Sequence, residues 1–196
     1  MQDTGGWKTL SSENNFTNSH LKVVTEKVQT PSNSQARTYT TVRRKAAVVI
    51  APMTSDGKFL LIKEERIPIR AAIWSMPAGQ IDDEAELQKR EIEGVALREL
   101  HEETGYDLAS GGELISLGYF FTSAGLTDEH CYFFLARPVQ RADVHKREEG
   151  EAILECRAVT TSELSRMIAQ NEIRDSNTLG ICARLAACGL ISLRAD

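Results

Sequence analysis

Between Leu21 and Gln29 apolar and polar residues alternate, with Leu21, Val23 and Thr25 set against Lys22, Val24 and Glu26. That period of two predicts a strand. Pro31-Ser32-Asn33-Ser34 is a turn signal, and Arg37 to Arg44 reads as the returning strand of a hairpin. The short apolar run Ala46 to Ala51 suits a buried strand. Ser55-Asp56-Gly57 then marks a turn, and Lys58 to Lys63 a further strand. From Glu84 to Thr104 the period changes: Leu87, Ile92, Val95, Ala96 and Leu100 recur at roughly helical spacing, and Gly105 follows as a C-cap. Leu114 to Phe121 and His130 to Ala136 read as strands around the loop Thr122 to Glu129. Ala152 to Val159 reads as another strand. Thr161 to Gln170, with Thr161 as N-cap and Glu163 nearby, and Asn177 to Leu190 read as helices. Residues 1 to about 19 are rich in Ser, Asn and Thr with isolated Trp7 and Phe16, the pattern of a loosely ordered arm. Strands, a long helix, more strands and then helices predict an α+β chain: an α/β/α sandwich around a mixed sheet.

Length and charge narrow the function. The 196 residues allow one domain with an N-terminal appendage. A net charge of -5 argues against a nucleic-acid backbone binder, because no basic excess offsets phosphate. A small anionic ligand stays open, since a bound cation reverses the local sign. No apolar run approaches the roughly 20 residues that span a bilayer, so no membrane role is expected. Met1 to Gly6 lacks the basic and apolar regions of a secretory signal. Cys131, Cys156, Cys182 and Cys188 are scattered without a CxxC pair, so free thiols in a reducing cytoplasm are expected rather than disulfides.

The chemistry concentrates on the long helix. Glu99, Glu102 and Glu103 stand at i, i+3 and i+4 and share one face. Neighbouring like charges repel by a few tenths of a kcal/mol per pair on a solvated helix, so a hard cation among them relieves the strain. Such a cluster suits catalysis on phosphates. The plainer alternative is a solvated acidic face on which Arg98 pairs with Glu102. Against it stands the preceding stretch Met76-Pro77-Ala78-Gly79-Gln80-Ile81-Asp82, read as a loop whose Pro and Gly let the backbone approach a ligand.

Arg98-Glu99-Leu100-x-Glu102-Glu103-x-Gly105-Tyr106, with Gly79 upstream, resembles the Nudix box GX5EX7REUXEEXGU, where U is apolar. The second half matches at every fixed position. The first half departs: Arg98 lies 19 positions after Gly79, five more than in the family pattern, and the early Glu falls on Arg90. The resemblance implies a Nudix fold, with the Ala78 carbonyl, Glu99, Glu102 and Glu103 as metal ligands and Arg98 and Glu103 in the catalytic set. It implies magnesium as cofactor, with manganese as a substitute. Glu148-Glu149-Gly150-Glu151 is similar to the family's acidic loop, which makes Glu151 the first choice and Glu149 the second for general base, Glu151 also as a further metal ligand.

The stretches around Trp7, Arg37 to Val42, Leu60 to Pro68 and Trp74 to Gly79 are similar to ADP-ribose and ADP-sugar pyrophosphatases. By that resemblance Trp7 and Tyr39 clamp the nucleobase, Arg44 and Arg66 contact phosphates or base, and residues 1–44 form a dimerising, base-binding appendage to a hydrolase domain over 45–196. A cytoplasmic homodimer through the N-terminal strands is implied. Thr122-Ser123-Ala124-Gly125 has Ala where those enzymes commonly carry Pro, which weakens an assignment to ADP-ribose alone. The expected reaction is magnesium-dependent hydrolysis of a nucleoside diphosphate sugar, such as ADP-ribose, to a nucleoside monophosphate and a sugar phosphate. The alternatives are a sensor that binds nucleotide sugars without cleaving them and, among enzymes, a nucleoside triphosphate pyrophosphatase.

Overall fold

A computed structural model describes residues 5–82, 89–144 and 152–193. The chain divides into two units, Met1–Ala46 with Phe121–His130, and Ala47–Phe120 with Cys131–Asp196.

The first unit is built on an antiparallel sheet of β1 (Lys8–Thr17), β2 (Leu21–Thr30) and β3 (Asn33–Arg44) in that order. The hairpin is as the alternation predicts, with Thr25 opposite Thr40 and Glu26 opposite Tyr39. β1 is a correction. Where a loosely ordered arm is expected, a ten-residue strand pairs with β2, from Lys8 opposite Gln29 to Thr17 opposite Lys22. Every residue of β1 is exposed, so no buried face imposes an alternation; backbone hydrogen bonds to β2 make the strand.

The second unit carries a mixed sheet. Its path is β10 (Ile153–Val159), β5 (Phe59–Arg66), β4 (Ala47–Thr54), β9 (His130–Arg141) and β8 (Tyr106–Phe121). β6 (Ala71–Ser75) adds to β5 and β7 (Ala78–Gln80) to β4. β4 runs parallel to β9, with Val49 opposite Phe133, and antiparallel to β5 and β7. β7 lies where a loop is expected; a strand of three residues beside a Pro carries no legible period. Gly57, at φ 76, completes the turn between β4 and β5.

Val48, Val49, Ile50 and Ala51 are all fully buried, so β4 is covered on both faces. Val49 and Ala51 pack with Phe59, Leu61, Phe133 and Leu135 against Leu164, Met167, Ile181, Cys182 and Leu185. Those last five come from α2 (Thr161–Ala169) and α3 (Ser176–Ala187). Val48 and Ile50 point the other way by strand alternation, and α1 (Lys89–Thr104) also contacts β4. The result is the expected sandwich, a sheet between helices. Each fully buried Leu, Ile or Phe contributes about 1.5–3 kcal/mol relative to exposure.

The helix ends follow their caps. The N-cap of α2 is Thr160 rather than Thr161: its side chain accepts from Glu163 N at 3.1 Å. Asp175 caps α3 by accepting from Thr178 N at 2.7 Å. Gly105, at φ 72, ends α1 and donates its N–H to His101 O at 2.9 Å. Residues 83–88, within the lengthened stretch between Gly79 and Arg98, lie outside the described residues, as does the side chain of Arg90.

Candidate active site

On α1 the inward stripe is Ile92, Ala96 and Leu100, all buried. Glu99 and Glu103 lie on the same stripe and are only 7% and 6% exposed. Burying a carboxylate costs several kcal/mol unless it is paired and hydrogen-bonded. Here both are engaged. The Ala78 backbone N–H donates to Glu103 Oε2 at 2.8 Å. Arg98 Nη2 donates to Glu99 Oε1 at 2.7 Å, while its Nη1 donates to Glu102 Oε2 at 2.7 Å. One guanidinium thus spans two carboxylates of its own helix.

β7 reaches this face because it is pinned to β4: Ala78 pairs with Val49, Gly79 with Val48, and Ile50 N donates to Pro77 O at 2.9 Å. Gly79 is needed there. A Cβ at that position would stand 2.0 Å from Glu99 Cδ and 2.2 and 2.4 Å from its two oxygens. The close backbone approach at Gly79 is made to the Glu99 carboxylate.

The donor set fits a hard divalent cation. Glu99, Glu102, Glu103 and the Ala78 carbonyl offer oxygen only. Among the described residues no group of three His, Cys, Asp or Glu side chains converges as a ready cage. Glu149 and Glu151, the expected general base and its alternative, lie outside the described residues.

Arg66, at the end of β5, lies 2.9 Å from Glu64 Oε2. The contact is an ion pair by distance without the alignment of a hydrogen bond, since that buried oxygen has no hydrogen-bond partner. Burial raises the Glu64 carboxyl above the usual range; the Arg66 charge opposes this and Asp175 reinforces it.

In the N-terminal unit the structure brings Trp7 and Tyr39 to the lining of one pocket of about 680 Å3. Strand alternation puts Arg37, Tyr39, Thr41 and Arg43 on one face of β3, and Glu26, Val28 and Thr30 on the matching face of β2; all seven line the pocket. Phe121, Ala124, Leu126, Thr127 and Asp128 complete the wall. Trp7 and Tyr39 are each about half exposed, at 51% and 54%, so their aromatic surface is available. The Tyr39 hydroxyl donates to Gly125 O, and Val42 N donates to Leu126 O at 2.9 Å. Arg44 pairs with Glu129 at 3.1 Å and is absent from the lining. Sequence reasoning missed the part of residues 121–128 in this wall: no local pattern signals a contact between positions some 86 apart.

An ADP-ribose pyrophosphatase of Bacillus subtilis is 29% identical over 171 residues, covering 87% of this chain and 88% of that protein. A methanol dehydrogenase activator of Bacillus methanolicus is 30% identical over 173 residues, 88% of each. A crystal structure of an ADP compounds hydrolase has the same fold at a TM-score of 0.74 with 16% identity, covering 97% of this chain and 100% of that one. The NUDIX domain model matches residues 42–179, a span that takes in β4, β7 and the carboxylates of α1. With most of its length inside that match, the chain belongs to the Nudix family and is a Nudix hydrolase.

Proposed function

We propose that the protein hydrolyses the diphosphate of a nucleoside diphosphate sugar, ADP-ribose foremost, to a nucleoside monophosphate and a sugar phosphate with magnesium as cofactor. The observation that carries the reading is the pair of buried carboxylates Glu99 and Glu103, held by Arg98 and by the Ala78 N–H, with Gly79 leaving room for Glu99. Glu99, Glu103 and Ala78 would hold the cation, with Glu102 beside them. Bound there, magnesium neutralises diphosphate charge and lowers the pKa of a water.

The chain's own residues do the rest. Arg98 fixes the orientation of Glu99 and Glu102 through two charge-assisted hydrogen bonds. The Ala78 N–H fixes Glu103. Glu151, or Glu149 in its place, takes the proton of the attacking water. Arg66 offers a planar fork to a phosphate oxygen. Trp7 and Tyr39 stack on the base, worth about 1–3 kcal/mol for each base–aromatic contact. Support for ADP-ribose comes from the Bacillus subtilis relative. β1 is the outer strand of its sheet and exposed along its length, which supports dimerisation through it; the same reading assigns the enzyme to the cytoplasm.

The test is steady-state hydrolysis of ADP-ribose, other ADP- and UDP-sugars and nucleoside triphosphates, with and without Mg2+, and with products identified. The proposal predicts the highest kcat/KM on ADP-ribose or a related nucleotide sugar, with a nucleoside monophosphate among the products. Preferential release of pyrophosphate from triphosphates overturns it. Sedimentation at micromolar concentration tests the dimer.

A further inference from the structure

Arg43 links two strands and a loop of the N-terminal pocket. Its Nη2 donates to Glu26 Oε2 on β2 at 2.7 Å, and its Nη1 to Asp128 Oδ2 on the 122–129 loop at 3.0 Å. Each acid is tied a second time. Glu26 Oε1 accepts from Ser12 Oγ on β1 at 3.2 Å, and Asp128 Oδ1 accepts from the Arg44 N–H at 3.0 Å. One guanidinium therefore sits at the centre of a polar chain through β1, β2, β3 and the loop. Burial alone would lower the Arg43 pKa. The Asp128 hydrogen bond and the charges of Glu26 and Asp128 outweigh it, so the guanidinium is held above its ordinary value.

The loop held in this way is the wall of the pocket. Ala124, Leu126, Thr127 and Asp128 line it together with Tyr39. The Tyr39 hydroxyl is itself bonded to Gly125 O, so the position of the loop and the pose of the ring are set together. A planar fork can reach two acids in different directions, which a lysine ammonium on one flexible stem does less well.

We infer that Arg43 is a positioning residue for nucleotide binding: by holding Glu26 and Asp128 at once it fixes the 122–129 loop and with it the width of the pocket. The inference rests on the reading of this pocket as the nucleobase subsite. It assigns Arg43 no contact with the reacting phosphates, so its loss acts on binding and spares the chemical step.

The experiment measures KM and kcat on ADP-ribose, and the affinity for AMP by Trp7 fluorescence in a Trp74→Phe background, for Arg43→Met, Arg43→Lys, Asp128→Asn, the Arg43→Met/Asp128→Asn double variant and Tyr39→Ala. The expected result for Arg43→Met is a rise of about tenfold in KM and in the AMP dissociation constant, with kcat within about twofold of the parent. Arg43→Lys falls between. Asp128→Asn matches Arg43→Met, and the double variant is no worse than either single, the signature of one shared interaction. Effects that multiply in the double variant overturn the clamp. So does an unchanged KM in Arg43→Met and Asp128→Asn when Tyr39→Ala raises it. An unchanged KM and AMP affinity in Tyr39→Ala overturns the pocket reading and this inference with it. If Arg43→Met does not fold, Asp128→Asn and Arg43→Lys carry the test.

Discussion

Gly79 and Glu99 occupy space that only a glycine allows them to share: a Cβ on residue 79 would stand 2.0 Å from the Glu99 carboxylate carbon. Glu99 is buried and bonded to Arg98, so it gives way only by abandoning that position. Gly79→Ala should therefore displace the carboxylate while leaving the β4–β7 pairing available. A misplacement of about 1 Å costs on the order of a hundredfold in rate, and kcat on the best nucleotide sugar should fall by about that factor. Steady-state kinetics beside a thermal melt checks it. A variant with parental kcat would show that the approach has no catalytic meaning.

Arg98 should separate activity from stability. Its side chain is about half exposed, and ion pairs of that kind contribute about 0–1 kcal/mol to folding. Its two hydrogen bonds nevertheless orient Glu99 and Glu102. Groups that orient metal ligands typically matter by about 10–100-fold in activity or metal affinity. Arg98→Met should thus lose at least about tenfold in kcat/KM while its urea midpoint hardly moves.

Glu64 predicts a pH-dependent gain. Burial raises its carboxyl pKa in the folded chain, against the lowering by Arg66. The unfolded chain then ionises first as pH rises. Glu64 accordingly costs stability above the usual carboxylate range and nothing below it. Glu64→Gln should be more stable than the parent at pH 7–8, with the difference closing as pH falls through the ordinary glutamate range. Denaturant melts across that range test the sign; a loss at neutral pH would mean that the Arg66 ion pair outweighs burial.

The thiols should label in order of exposure. Cys188 is exposed, whereas Cys182 is buried in the core and burial pushes its thiol up to about 12. Thiolate is the reactive form, so Cys182 in the native protein should resist alkylation at pH 8 while Cys188 reacts. Mass spectrometry of peptides after timed iodoacetamide treatment reads this directly.

What was legible in the sequence follows from what leaves a period or a motif. The β2–β3 hairpin, the buried strand β4 and the carboxylate face of α1 each write a local pattern, and all three are found. β1 writes none, because a strand exposed on both faces has no apolar side to alternate. β7 is three residues long in a Pro-Ala-Gly stretch, yet it carries the N–H that holds Glu103. The pocket wall from the 121–128 segment depends on contacts some 85 positions apart, such as Arg43 with Asp128, which local patterns do not encode. Glu99 and Glu103 sit where the spacing of Ile92, Ala96 and Leu100 calls for apolar residues, and buried charge on a core stripe marks a functional face.

In the proposed function Glu103, buried and held by the Ala78 N–H, binds the cation on which hydrolysis depends. Glu103→Gln is the most direct test, since the amide oxygen can still accept from Ala78 N and melting should shift by less than about 4 °C. The measurement is kcat on the best nucleotide sugar as Mg2+ is titrated. The expected result is a loss of about a hundredfold at saturating substrate, with a higher Mg2+ requirement. Full activity with an unchanged Mg2+ titration would contradict it.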